Sequence, residues 1–337
     1  MSPDSQQDFA LAFLSILFEG APFILLGTLI SGFIDIYLPP GMMDRFLPKN
    51  KFLAVLMSGM LGAVFPVCEC AVVPVIRRLV KKGLPVSCGL TYMLAAPIVN
   101  PITALSTWKA FQGQGAGMMT CSRLLLGFLV AVAVGMIVSK LPLGAVLRPK
   151  LAESLNNDAR EVGHHDHEHD HDHDHDHDHD HDHDHSCCGH DHRHAPAGGE
   201  RLVAAFRSAM KDFVDVAVYF SIGVTITALF NTGIAPGAQW LDSLASNPTA
   251  APVALMVLAF ILSLCSTSDA FIAATLDKFS WGAKLAFLTF GPMMDVKLIF
   301  LYQTVLRKRF IVLLALGLFV SIGGISIFWQ HLILGAK

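Results

Sequence analysis

The feature that most constrains the fold is a series of apolar stretches of about 20 residues, separated by short basic or Pro- and Gly-containing segments. A helix of that length rises about 30 Å, the thickness of the hydrocarbon core of a bilayer. Of the 337 residues, 53% are hydrophobic and only 15% are charged, whereas a soluble protein carries about a quarter charged residues. The sequence therefore predicts an all-α polytopic membrane protein rather than a soluble helical one.

Several apolar segments contain a break that carries polar residues. One of them, residues 52–80, contains the sequence Cys-Glu-Cys between Pro66 and Pro74, and the two prolines predict a helix break on both sides of the cysteines. Basic residues stand before and after this segment: Lys49, Lys51, Arg77, Arg78, Lys81 and Lys82. Because basic residues favour the cytoplasmic side, we expect a re-entrant hairpin with the cysteines at its tip. The alternative is about eight to ten complete crossings.

The second half of the chain repeats the pattern of the first. The spacing from Cys70 to Pro97 equals the spacing from Cys265 to Pro292. An odd number of crossings in each half would invert the second half, so that the broken helices of both repeats meet near the bilayer midplane. The predicted organisation is a first transmembrane repeat in residues 1–141, a cytoplasmic His- and Asp-rich metal-binding loop in 142–207, and a second transmembrane repeat in 208–337.

Thiols and carboxylates at the breaks are candidate metal ligands. Cys68 and Cys70 flank Glu69, and thiolates bind soft ions such as Cu(I), Zn(II) or trivalent arsenic. Two buried cysteines that only fill space are the alternative, but a carboxylate between them at membrane depth is costly and favours a function. Cys265 is the repeat partner of Cys70, and Asp269 lies one helical turn beyond it. We expect these five residues to contribute to one metal site.

Two further pairs of polar residues occupy matched positions in the halves. Asn100 and Asp295 follow the second break of each half, where they either coordinate an ion or cap the freed backbone of a broken helix. Lys297 is the candidate counter-charge of Asp295. Glu19 and Asp215 are matched acids for which we expect a role in proton coupling, with a position at the membrane interface as the alternative for Asp215.

The central loop is a metal-binding segment by composition. Between residues 164 and 185 His alternates with Asp almost without interruption, and a pair of cysteines follows. Imidazole and carboxylate groups suit Zn(II), Cu(II) and Ni(II), so we expect capture of many weakly held ions, with a solvated spacer as the alternative. The predicted loop ligands are His164, His165, His167, His169, His185, Cys187, Cys188, His190, His192 and His194.

The sequence lacks the motifs that other functional classes need. The sequence has no G-x-x-x-x-G-K-[ST] motif and no H-E-x-x-H or G-x-S-x-G motif, so we expect neither an ATP-driven pump nor an enzyme. Seven cysteines, mostly in apolar segments or beside His, indicate thiol ligands rather than disulfides. The N-terminal residues predict no cleavable signal.

We expect no permanently bound cofactor and no nucleic acid partner. The expected partners are membrane lipid and transported or loop-bound Zn or Cu ions, and a homo-oligomer is left open.

These motifs together resemble a known family. The sequences CEC at residues 68–70, GLP at 83–85 and LAAPIVNP at 94–101 are similar to those of the bacterial predicted permeases that include the organoarsenical exporter ArsP. The His-rich loop resembles the branch of that family described as Cu/Zn efflux transporters. The resemblance implies export of toxic metals or metalloids across the bacterial inner membrane. Glu69 departs from the small polar residue expected between the cysteines, which favours a metal cation over arsenic.

The sequence thus predicts a secondary, proton-coupled efflux transporter for soft or borderline metal ions such as Cu and Zn. Two alternatives stay open. The first is an arsenite or organoarsenical exporter, in which the cysteines bind trivalent arsenic. The second is a membrane metal sensor or chaperone that binds ions without transporting them.

Overall fold

The structure, a computed structural model, describes residues 3–38, 47–64, 68–149, 151, 153, 198–233, 247 and 249–335. These residues form helices and connecting turns, with no β-strand among them apart from an isolated bridge between Leu147 and Leu306. The helices are α1 (Pro3–Tyr37), α2 (Lys51–Val64), α3 (Glu69–Lys81), α4 (Val86–Ala95), α5 (Pro101–Ala110), α6 (Ala116–Val138), α7 (Leu143–Val146), α8 (Gly198–Gly233), α9 (Ala250–Leu262), α10 (Asp269–Thr275), α11 (Trp281–Met293), α12 (Val296–Tyr302) and α13 (Lys308–Gly335). The all-α prediction is confirmed for these residues.

Five helical segments in the described part of the chain are long and apolar enough to cross a membrane. They are Phe9–Tyr37, Ala116–Val138, Arg201–Leu229, Trp281–Tyr302 and Lys308–Gln330. The helices α2, α4 and α9 are apolar but shorter, so none of them spans a bilayer by itself. The protein is therefore a multi-pass membrane protein that combines long helices with short, interrupted ones.

The order of helices in the first half recurs in the second. Each half has a long helix (α1 or α8), two short helices separated by a break (α2–α3 or α9–α10), a second interrupted pair (α4–α5 or α11–α12) and another long helix (α6 or α13). Cys68 directly precedes α3, and Cys265 lies in the break before α10. The second breaks end at Asn100 and Asp295, the residues that precede α5 and α12.

The start of α2 and the end of α3 both lie near the end of α6. Lys49 and Lys51, at the start of α2, share a cavity with Ser139, which follows α6. Lys81, at the end of α3, shares another cavity with Arg148, which also follows α6. The helix α10 lies at the opposite end of α6, where the Gln114 side chain donates a hydrogen bond to the Ala274 carbonyl at 3.5 Å. The end of α3 and the helix α10 therefore lie near opposite ends of α6.

Pro74 does not break the helix, and the prediction that it would was wrong. The helix α3 continues through Pro74 to Lys81, so Cys70 lies in its first turn and only Cys68 has extended backbone. Tight packing of α1 along α3 outweighs the hydrogen bond that proline removes. Ser31 of α1 donates to the Pro74 carbonyl at 3.2 Å, and Gly27 lies so close to Ala71 that a Cβ there would overlap its backbone.

A partly buried ion network fixes the end of α3 against the two long helices α1 and α8. The Arg78 guanidinium donates to both carboxylate oxygens of Asp212 on α8, from Nε to Oδ2 at 2.8 Å and from Nη2 to Oδ1 at 3.0 Å. Its Nη1 also lies 3.0 Å from Oδ2 of Asp35 on α1. Two-pronged guanidinium–carboxylate contacts of this kind are strong and directional. They hold the basic end of α3 in one place.

Helices occupy both ends of the predicted central loop. The helix α7 and the start of α8, from Gly198, fall within residues 142–207. The segment after α7 is held by backbone hydrogen bonds, in which Arg148 N donates to Val305 O at 3.0 Å and Arg307 N donates to Val146 O at 2.9 Å. The predicted loop ligands between His164 and His194 lie outside the described residues.

Candidate thiol-lined site

Three cysteines, two from the first half and one from the second, line one small cavity. Cys68, Cys70 and Cys265 face it together with Glu69 and Lys297. The other lining residues come from the two long helices and are Ile16, Glu19, Gly20, Phe23 and Phe220. The cavity volume is about 20 Å³, room for about one water molecule. The structure thus brings together four of the five residues predicted to form a metal site.

The cysteines reach the cavity because both chain breaks lie beside it. Cys68 has extended backbone, and its carbonyl accepts hydrogen bonds from the first turn of α3, from Ala71 N at 3.1 Å and Val72 N at 3.3 Å. Before Cys265, α9 ends at Leu262, and the next residue, Ser263, has a φ of 47° in the left-handed region, which turns the chain sharply. Thr267 donates to Sγ of Cys265 at 3.6 Å, which orients that thiol.

A buried lysine joins the two halves beside the thiols. Nζ of Lys297 lies 3.4 Å from Oε1 of Glu69 and 3.6 Å from Oδ2 of Asp295, and it donates to the Ser263 carbonyl at 2.8 Å. All three charged side chains are at most 5% exposed. Oε2 of Glu69 has no hydrogen-bond partner among the described residues. Lys297 is therefore the predicted counter-charge of Asp295, and it also neutralises Glu69.

Asn100 and Asp295 cap the helices that follow the second breaks. The side chain of Asn100 accepts from Ile102 N at 2.9 Å, and that of Asp295 accepts from Leu298 N at 2.7 Å. Each satisfies one backbone donor that a broken helix leaves free. Of the two roles considered for this pair, the hydrogen bonds show capping. Neither residue lines the thiol cavity, although Asp295 reaches it through Lys297.

Asp269 does not line the thiol cavity, and its side chain lies in a buried ion pair that was not predicted from the sequence. Nη2 of Arg123, on α6, lies 2.7 Å from Oδ2 of Asp269 and donates to the Ser266 carbonyl at 3.0 Å. Nη1 of Arg123 donates to the Thr107 hydroxyl at 2.8 Å. The signal was present, because Arg123 is the single charged residue of the apolar helix α6. Charged residues inside membrane helices mark functional or paired sites.

The two acids considered for proton coupling occupy different places. Glu19 lines the thiol cavity from α1 and is exposed at its edge. The Asp215 side chain is 61% exposed and pairs with Arg77 at 3.6 Å, at the basic end of the bundle.

In the part of the chain that the structure describes, no three His, Cys, Asp or Glu side chains are arranged to hold a metal ion.

Comparisons with known proteins agree on one family. Residues 6–328 match the family model ArsP_1, described as a predicted permease. The UPF0718 protein YcgR of Bacillus subtilis (strain 168) is 35% identical over 303 residues, which cover 90% of each chain. A putative two-component membrane permease complex subunit of Streptococcus mutans is 31% identical over 310 residues, 92% of this chain and 90% of the relative. No solved structure shows a significant match. The family match extends over nearly the whole chain, which therefore belongs to the predicted permease family.

Proposed function

We propose that this permease is a secondary efflux transporter for soft or borderline metal ions such as Zn(II) and Cu(I). Family membership supports membrane transport, and together with the helical membrane fold it favours a non-enzymatic protein. The observation that carries the choice of cargo is the cavity at which thiols from both halves of the chain meet. Thiolate ligands select Cu(I) and also bind Zn(II) well.

The size of the cavity favours a single ion over an organic arsenical. A volume of about 20 Å³ admits one water-sized species, whereas an arsenical with carbon substituents needs more room. The described side chains are not already arranged as a metal site. Cargo binding in this proposal therefore draws the two broken segments closer, so that thiols of both halves reach one ion.

Lys297 gives the proposed site a way to couple cargo binding to helix movement. Its ammonium group is a tethered cation that neutralises Glu69 when no cargo is present. An entering metal ion competes for this carboxylate, whose Oε2 has no hydrogen-bond partner among the described residues. Displacing Lys297 shifts α12, and the shift reaches α8 because Gly223 packs directly on the Lys297 backbone. A ligand can drive such a change only by its different affinity for the two states.

The proposed topology is a pair of inverted repeats, with re-entrant hairpins that enter from opposite faces of the bacterial inner membrane. The His- and Asp-rich loop collects ions on the cytoplasmic side. Proton entry is assigned to Glu19, which lines the thiol cavity, and not to Asp215, which lies elsewhere.

Flux into proteoliposomes that contain the purified chain tests this function. Zn(II), Cu(I) and As(III) are supplied outside, and accumulation is measured with and without a proton gradient. We expect accumulation of Zn(II) or Cu(I) that falls when an ionophore collapses the gradient. Accumulation of As(III) alone would favour the arsenical exporter.

Binding of metal ions without flux would contradict the proposal that the chain transports metal ions by itself. It would favour a metal sensor or chaperone, or a requirement for a second subunit. The printed name of the streptococcal relative describes such a subunit, part of a two-component permease complex. Adding membranes from the native cell to the purified chain distinguishes these two possibilities. Flux returns if the chain is a transporter that needs a second subunit, and it stays absent if the chain is a sensor or chaperone.

A further inference from the structure

A second polar cavity lies at the basic end of the bundle, away from the thiols. Its volume is about 390 Å³. The lining residues come from α3, the segment after α7, α8 and the connection between α12 and α13, and they are Arg77, Lys81, Arg148, Leu151, Asp215, Tyr219 and Thr304. Both halves of the chain therefore contribute to it. Cavities of this size hold small ligands or headgroups.

The charges in this cavity are unbalanced. Three cations, Arg77, Lys81 and Arg148, face a single carboxylate, that of Asp215. Asp215 pairs with Arg77 at 3.6 Å. Lys81 and Arg148 make no salt bridge or side-chain hydrogen bond to any residue that the structure describes. The residues that line the cavity therefore carry three positive charges and one negative charge, a surplus that attracts an anion.

The cations are fixed in place rather than carried on loose surface loops. Backbone hydrogen bonds hold Arg148 against the α12–α13 connection, next to Thr304. Lys81 ends α3, whose last turns are anchored through Arg78 to Asp212. The hydroxyl of Tyr219 makes no hydrogen bond to the described residues and offers a neutral donor to the same cavity. A cradle of this kind is organised before its ligand arrives.

We propose that this cavity binds a phosphate group, either on an anionic phospholipid or as free phosphate. Guanidinium groups match the geometry of phosphate oxygens with paired hydrogen bonds, and basic pockets between membrane helices bind anionic headgroups. Positive residues mark the cytoplasmic side of membrane proteins, where the negative leaflet supplies such headgroups. A bound phosphate joins α3 to α8 and to the α12–α13 connection, so it stabilises the contact between the halves.

Binding measurements on the purified full-length chain test the proposal. One arm titrates delipidated protein in detergent with inorganic phosphate and follows thermal stability. The other places the protein in nanodiscs of phosphatidylcholine with or without phosphatidylglycerol, and counts retained phosphatidylglycerol by mass spectrometry. The test variant is Lys81→Gln with Arg148→Gln. The control is Lys49→Gln with Lys51→Gln, which removes the same charge from exposed residues at the same end of the bundle.

We expect the test variant to bind roughly thirtyfold more weakly than wild type, because each basic residue near an anionic headgroup contributes about 1 kcal/mol. The control variant should bind like wild type. Retention of phosphatidylglycerol alone identifies the headgroup as the source, and binding of inorganic phosphate alone identifies free phosphate. Absence of both, or equal losses in the test and control variants, overturns the proposal.

Discussion

Replacing Lys297 with Met is expected to destabilise the folded protein by about 3–5 kcal/mol, the usual cost of removing one partner from a buried ion pair. The ammonium group lies within 3.6 Å of carboxylates on both Glu69 and Asp295. Without it, two negative charges stay buried near each other with no compensating cation. The measurement is the fraction of a fluorescent fusion protein that stays monodisperse after heating, determined by size-exclusion chromatography.

Two further variants make the Lys297 prediction specific. Lys109→Met removes a lysine from an exposed position on α5 and should leave stability within the range of ordinary surface changes. Combining Lys297→Met with Glu69→Gln and Asp295→Asn removes the uncompensated charges, and Asn keeps the helix-capping acceptor. This triple variant should recover most of the lost stability. A Lys297→Met protein as stable as wild type would contradict the buried ion network.

Replacing Arg123 with Met is expected to cause a loss of similar size, again about 3–5 kcal/mol, because it leaves the buried Asp269 carboxylate alone. Arg123 is 1% exposed, so water does not compensate. The same change removes the donors to Ser266 and Thr107, which connect the Cys265 break to α5 and α6. Heat stability in the same chromatographic assay measures the effect.

The charge-neutral double variant separates an ion pair from simple packing at this position. Arg123→Met combined with Asp269→Asn should be clearly more stable than Arg123→Met alone. Lys140→Met, just beyond the end of α6, should behave like wild type because that lysine is exposed. If Asp269→Asn adds further damage instead of repair, Arg123 stabilises the protein through packing and the paired-charge account of this break is wrong.

The sequence was most informative where local chemistry decides the structure. Apolar stretches predicted the helices, because helices satisfy all backbone hydrogen bonds within a membrane. The residue pairs at equal spacing predicted that Cys265 corresponds to Cys70, and the structure places both on one cavity. The capping role of Asn100 also follows from local chemistry, since an Asn before a Pro-initiated helix accepts from the free backbone donors.

Prediction from the sequence failed where contacts between segments that are distant in the chain determine the structure. Pro74 was expected to break a helix, but packing of α1 at Gly27 and Ser31 keeps α3 continuous. The partner of Asp269 is Arg123, which is 146 residues away in the chain, and no local pattern joins them. Asp269 was therefore assigned to the thiol cluster by proximity in sequence. Such pairings depend on how the helices pack, which periodicity and composition do not encode.

Metal uptake into everted membrane vesicles tests directly whether the thiol cavity binds the transported ion. The vesicles contain wild-type protein or the Cys68→Ala, Cys70→Ala double variant. Cys121→Ala is the matched control, because it removes an exposed thiol outside the cavity. We expect uptake of Zn(II) or Cu(I) by wild type and control, and loss of uptake to background in the double variant. Equal uptake by the double variant and wild type would mean that the cysteines only fill space, and it would contradict a transport site at the thiol cavity.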